Sequence, residues 1–87
     1  MTEIHIASCV AFVRPEATEA VARAVSASGI AEVPRTDGRG RLVILIESTT
    51  DRGVLDAMDA IRALDGVLAV HLAYQHTEPE SAMQEPQ

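Results

Sequence analysis

With 87 residues and 47% hydrophobic side chains, the chain suffices for one domain with a modest core, and nothing is left over for a second catalytic module. A net charge of -6 repels phosphate, and aromatics at 2% (Phe12 and Tyr74) provide no base-stacking platform, so nucleic acid is excluded as a partner and a cationic partner is favoured. Cys9 is the only cysteine, which rules out an intrachain disulfide, a CxxC pair and a thiolate zinc site. With no basic leader and no run near the roughly 18 apolar residues that span a bilayer, the expectation is a cytoplasmic protein without stable membrane association.

From Ile4 to Val13, large apolar residues at Ile4, Ile6, Val10 and Phe12 alternate with His5, Ala7, Cys9 and Ala11, the period of a strand with two unlike faces. Arg14-Pro15 ends it, and Pro15 suits the first position of a helix whose opening turns carry Glu16 and Glu19. That helix is predicted from Pro15 to Ser28, burying Ala17, Val21, Ala24, Val25 and Ser28, with Gly29 as its cap. A short strand from Ile30 to Arg35 contains Pro34, which has no N–H for a ladder and so belongs at a sheet edge.

The turn from Thr36 to Gly40 leads into Leu42 to Glu47, an almost unbroken apolar run that reads as a central strand. Thr50 or Asp51 caps a second helix reaching Leu64, with Val54, Met58, Ile61 and Leu64 as its buried stripe. Gly66 closes it. Val67 to Tyr74 is the last strand, with Leu68, Val70, Leu72 and Tyr74 on one side and Ala69, His71 and Ala73 on the other. Two strand–helix–strand units of this length predict an α+β, ferredoxin-like βαββαβ domain over residues 1–75: a four-stranded antiparallel sheet with both helices on one face. Residues 76–87, aperiodic and carrying Glu78, Glu80 and Glu85, read as an acidic disordered tail.

The large residues Ile4, Ile6, Val10 and Phe12 of the first strand and Leu68, Val70 and Leu72 of the last are expected to face the helices. The uncovered face would then be a floor of His5, Ala7, Cys9, Ala11, Ala69, His71 and Ala73, with Val43 and Leu45 in its middle and Glu47 at its end. An open apolar floor of that kind lets another segment approach closely and marks an interaction site, a tolerated apolar surface or a dimer contact being the alternatives. His5 and His71, placed on one face of adjacent strands, lack the third ligand a zinc site needs. Cys9, far from a helix N-terminus or a cation, reads as an inert packing residue. Arg35, Arg39 and Arg41 around Gly38 and Gly40 read as a solvated hairpin turn. No Ser-His-Asp order, buried carboxylate pair or nucleotide loop can be assembled, so no catalytic residue, metal or cofactor is assigned.

Cys9-Val10 in the first strand, Gly40 to Glu47 in the third, and the block Asp65-Gly66-Val67-Leu68-Ala69-Val70-His71-Leu72-Ala73-Tyr74-Gln75-His76 before an acidic tail resemble the NapD family of assembly chaperones for periplasmic nitrate reductase. The resemblance covers nearly the whole chain. It implies a cytoplasmic, non-catalytic protein that binds the twin-arginine signal peptide of the nitrate reductase catalytic subunit and delays its export until the molybdenum cofactor is inserted. The peptide's apolar stretch would lie as an amphipathic helix on the open floor, and its arginines would meet carboxylates such as Glu47 or Glu32. A ferredoxin-like module that senses a small ligand is the rival reading, weakened because Arg14-Pro15-Glu16 replaces the glycine-containing ligand loop. An enzyme of acylphosphatase type ranks third, since the chain has no asparagine to position a water.

Overall fold

The computed structural model describes residues 3–79. Strand β1 (Glu3–Val13) is broken by Arg14-Pro15, where the fixed proline φ starts a single 3-10 turn at Pro15–Ala17 that runs on into helix α1 (Thr18–Ser28). Thr18 Oγ1 donates to the Pro15 carbonyl at 2.8 Å, holding that junction. Gly29, in the left-handed region at φ 76°, ends α1 and turns the chain into strand β2 (Ala31–Thr36). A tight hairpin then leads to β3 (Arg41–Ser48). Helix α2 (Asp51–Arg62) opens on Thr50, whose Oγ1 accepts the Gly53 N–H at 2.9 Å, and β4 (Val67–Pro79) completes the chain.

The sheet is antiparallel in the order β2-β3-β1-β4, so β1 and β3 are central. This is the ferredoxin-like α+β arrangement expected from the element order. Pro34 lies on edge strand β2, where the ladder to β3 is irregular between Glu32 and Arg35. Val21 and Val25 of α1 and Val54, Ala57, Met58 and Ile61 of α2 share one core with the sheet, which puts both helices on the same face. Ala24 and Ser28, expected in the α1 stripe, are exposed; α1 buries Thr18, Val21 and Val25 instead. The α2 stripe is as expected except that Leu64 is only half-buried.

The assignment of sheet faces has to be reversed for β1. Ala7, Cys9 and Ala11 are fully buried beneath the helices, while Val10 and Phe12 point to the uncovered side, Phe12 being 39% exposed. Volume explains this. Opposite Ala7, Cys9 and Ala11 in the β1–β3 ladder stand Ile46, Ile44 and Leu42, all fully buried, and with the helix side chains they already fill the interior. Beside those bulky neighbours only small residues fit on the helix side of β1 at native packing density. Strict alternation then sends its large residues outward.

Strand β4 departs from the sequence reading in two ways. Its pairing with β1 shifts between Ser8 and Cys9 and again between Phe12 and Val13, leaving Ala73 and Leu68 without partners at two bulges. Each bulge resets the alternation. Val70 and Leu72 stay on the helix side, Tyr74 crosses to the open face, and Leu68 is 67% exposed. The strand also continues through His76–Pro79, residues expected in the tail, because β1 begins at Glu3 and offers partners as far as the Glu3 to Pro79 pair. That extension rests on backbone pairing, so side-chain composition did not reveal it. The disorder expected for the rest of the tail, including Glu80 and Glu85, lies outside the described residues.

Candidate functional site

The sheet face that no described residue covers is built by alternate residues: Ile4, Ile6, Val10 and Phe12 of β1, Val43 and Leu45 of β3, and Ala69, His71 and Tyr74 of β4. Toward the β2–β3 hairpin end is a groove of about 590 Å³ lined by Val10, Phe12, Val43 and His71 and rimmed by Arg35, Asp37 and Arg41. The Phe12 and His71 rings meet edge to face, with centroids 5.8 Å apart and planes at 71°, which fixes one wall. The arginine rim is ordered by Asp37. Its Oδ1 accepts the N–H groups of Arg39 at 2.8 Å and Arg41 at 3.1 Å, and its Oδ2 takes the Arg41 Nε at 3.1 Å. The Arg39 N–H, followed by the Arg41 contacts, holds the Asp37 carboxyl below its ordinary range.

Toward the other end of the face lies a second depression, of about 420 Å³, lined by Leu45, Glu32 and Glu47 together with Ser26, Gly29 and Ile30. Among the described residues neither Glu32 nor Glu47 forms an ion pair. Near this end, across β1, Glu78 Oε1 lies 2.9 Å from His76 Nε2, while His76 Nδ1 is buried without a partner.

Of the residues singled out from sequence, Val43, Leu45, Glu47, Ala69 and His71 lie on this face, and Ala73 is exposed at its bulge. Four do not. Ala7, Cys9 and Ala11 are core residues, and His5 turns to the helix side, its Nδ1 2.9 Å from Asp51 Oδ1. A pair between His5 and His71 is therefore not formed: they occupy opposite faces. Burial pushes the Cys9 thiol pKa up, only partly opposed by the Arg62 charge, as suits a packing residue. Val10, Phe12, Arg35, Arg41 and Tyr74 were missed. The signal that finds the first two is the Leu42, Ile44, Ile46 stripe, whose bulk leaves no room for Val10 and Phe12 on the same side. Among the described residues no group of three or more His, Cys, Asp or Glu side chains is placed to hold a metal ion. No helix there is long and apolar enough to cross a membrane.

Among the described residues the domain is a ferredoxin-like α+β sheet with helices on one face and a largely apolar strip exposed along the other. The chain belongs to the NapD family, whose profile, described as "NapD protein", matches residues 4–79. Among solved structures it is similar to the solution structure of the E. coli Tat proofreading chaperone protein NapD, with a TM-score of 0.77, 25% identity, and coverage of 97% of this chain and 88% of that one. No curated protein matches the chain.

Proposed function

We propose that this chain is a cytoplasmic chaperone without catalytic activity that holds the twin-arginine signal peptide of the catalytic subunit of periplasmic nitrate reductase, delaying export until that subunit has received its molybdenum cofactor. The observation that carries the reading is the uncovered groove between Val10, Phe12, Val43 and His71 on the sheet of a NapD family member. An export leader places a basic segment before an apolar stretch of about 7–15 residues. Such a stretch folds into an amphipathic helix when it can lay its apolar side in a groove.

Each leucine-sized side chain buried there contributes about 1.5–3 kcal/mol, and ordering a disordered leader costs about 2–5 kcal/mol. The balance gives reversible binding, which a protein that must hold and then release requires. While held, the leader is withheld from the export machinery, so occupancy of the groove sets the delay.

Titration calorimetry of the full chain with a synthetic twin-arginine leader tests the reading. One leader binds per chain, and Val43→Arg weakens binding tenfold or more while leaving the circular-dichroism melt in place. A folded chain that binds no leader rejects it.

A further inference from the structure

The open face is polar along its length. At one end the register sets Ile6 beside Glu47 and Ile4 beside Glu78, with Glu32 across from Leu45. At the other it sets Phe12 beside Arg41 and Val43 beside Arg35, next to the Arg39 turn; Asp37 pairs with Arg41 there, and among the described residues Arg35 and Arg39 form no ion pair, so this end stays net positive. Between them, Ser8, Val10, Val43, Leu45 and Ala69 carry no charge. The acidic end also receives the C-terminus of α1 at Gly29, which adds the partial negative charge of unpaired helix carbonyls.

We infer that a bound leader lies in one direction only: its arginine pair over the Glu32 and Glu47 end, and the far end of its apolar stretch at the β2–β3 hairpin beside Arg35 and Arg41. This rests on the leader-binding reading above and specifies it. Length agrees with the assignment. From Glu47 to Arg41 the strand spans about 20 Å at about 3.3 Å per residue, the length of a helix of about 13 residues. In this direction the helix C-terminus, with its partial negative charge, ends over the hairpin arginines. The opposite direction sets the leader's arginines against Arg35 and Arg39, which Asp37 does not pair with, a net like-charge contact that costs affinity and so disfavours it.

The test uses the full chain and a synthetic twin-arginine leader carrying a nitroxide label at either end, read by paramagnetic broadening of backbone amides. The N-terminal label is expected to broaden Glu32, Glu47 and Ser48, and the C-terminal label Thr36 and Gly40. The reversed pattern, or equal broadening of both ends by both labels, overturns the direction while leaving leader binding intact. No broadening together with no binding heat removes leader binding itself, and this inference with it. A charge cycle gives an independent readout. Glu32→Lys with Glu47→Lys is expected to weaken a twin-arginine leader tenfold or more and to leave a leader with glutamines in place of the arginines within twofold. Equal losses for both leaders overturn the pairing.

Discussion

His5 Nδ1 stands 2.9 Å from Asp51 Oδ1, joining the start of β1 to the first turn of α2. Gln75 Nε2 donates to the same Asp51 oxygen at 3.1 Å, and Thr77 Oγ1 lies 3.2 Å from the same imidazole nitrogen. A short polar network thus ties the extended end of β4 to the helix layer. It also accounts for His5 being absent from the open face.

Replacing Asp51 with alanine removes both contacts and a carboxylate from the positive end of α2. Because the group is largely exposed, the expected loss is about 0.5–1 kcal/mol. Urea unfolding measures it, and leader affinity should stay unchanged.

The reversed faces of β1 make a paired prediction. Ala11→Leu inserts volume into a filled interior and should destabilise the fold by about 1–3 kcal/mol. Phe12→Ala, one position along and partly exposed, should lower stability by less than Ala11→Leu does and weaken leader binding several-fold. Thermal melts and calorimetry on both variants decide it; equal destabilisation would contradict the face assignment.

The Cys9 thiol, buried and raised in pKa, should resist a disulfide reagent at pH 8 in the folded chain and react at once in urea. Its linkage runs the alkaline way. The folded chain holds the thiol proton more tightly than the unfolded one, so this contribution to stability is intact below the ordinary thiol value of 9.0 and is lost as pH rises through the higher folded value.

Asp37 runs the opposite way. Its folded pKa is depressed from 3.8, so its contribution is present above that value and is lost as pH falls through the lower folded value. Carbonyl-detected NMR titration should place its midpoint below the ordinary value of 3.8. In Asp37→Asn the Arg39 and Arg41 amides should exchange faster, because a neutral side chain accepts their N–H groups less strongly.

Gly66 adopts φ 94°, and a Cβ there would come within 2.7 Å of the Ala17 Cβ. Gly66→Ala should therefore cost about 1 kcal/mol or more through backbone strain alone, with the clash adding to it, read as a lowered melting temperature.

Much of the fold was legible because its punctuation is local. Pro15 sets the start of the first helical turn, Gly29 ends α1, Thr50 caps α2 and Pro34 confines β2 to an edge, each through a constraint that acts within a few residues. Which side of β1 meets the helices is not local. Alternation defines two faces symmetrically, and the choice depends on how much volume Leu42, Ile44 and Ile46 bring from another strand. The bulges at Leu68 and Ala73 were hidden for a similar reason: neither residue has a backbone preference that marks it, and the slip exists only relative to β1. The candidate site was accordingly half legible. Val43, Leu45 and Glu47 of β3 and Ala69 and His71 of β4 were placed on the open face, Arg41 and Tyr74 were not, and the site's β1 members were drawn from the wrong alternate set.

Strand β3 shows what this division of labour permits. Leu42, Ile44 and Ile46 secure the interior, while the intervening Arg41, Val43, Leu45 and Glu47 look outward, half-buried or exposed. Polar or bulky substitutions on the outward set therefore leave the buried stripe untouched, so this surface can change its chemistry while the packing beneath stays the same.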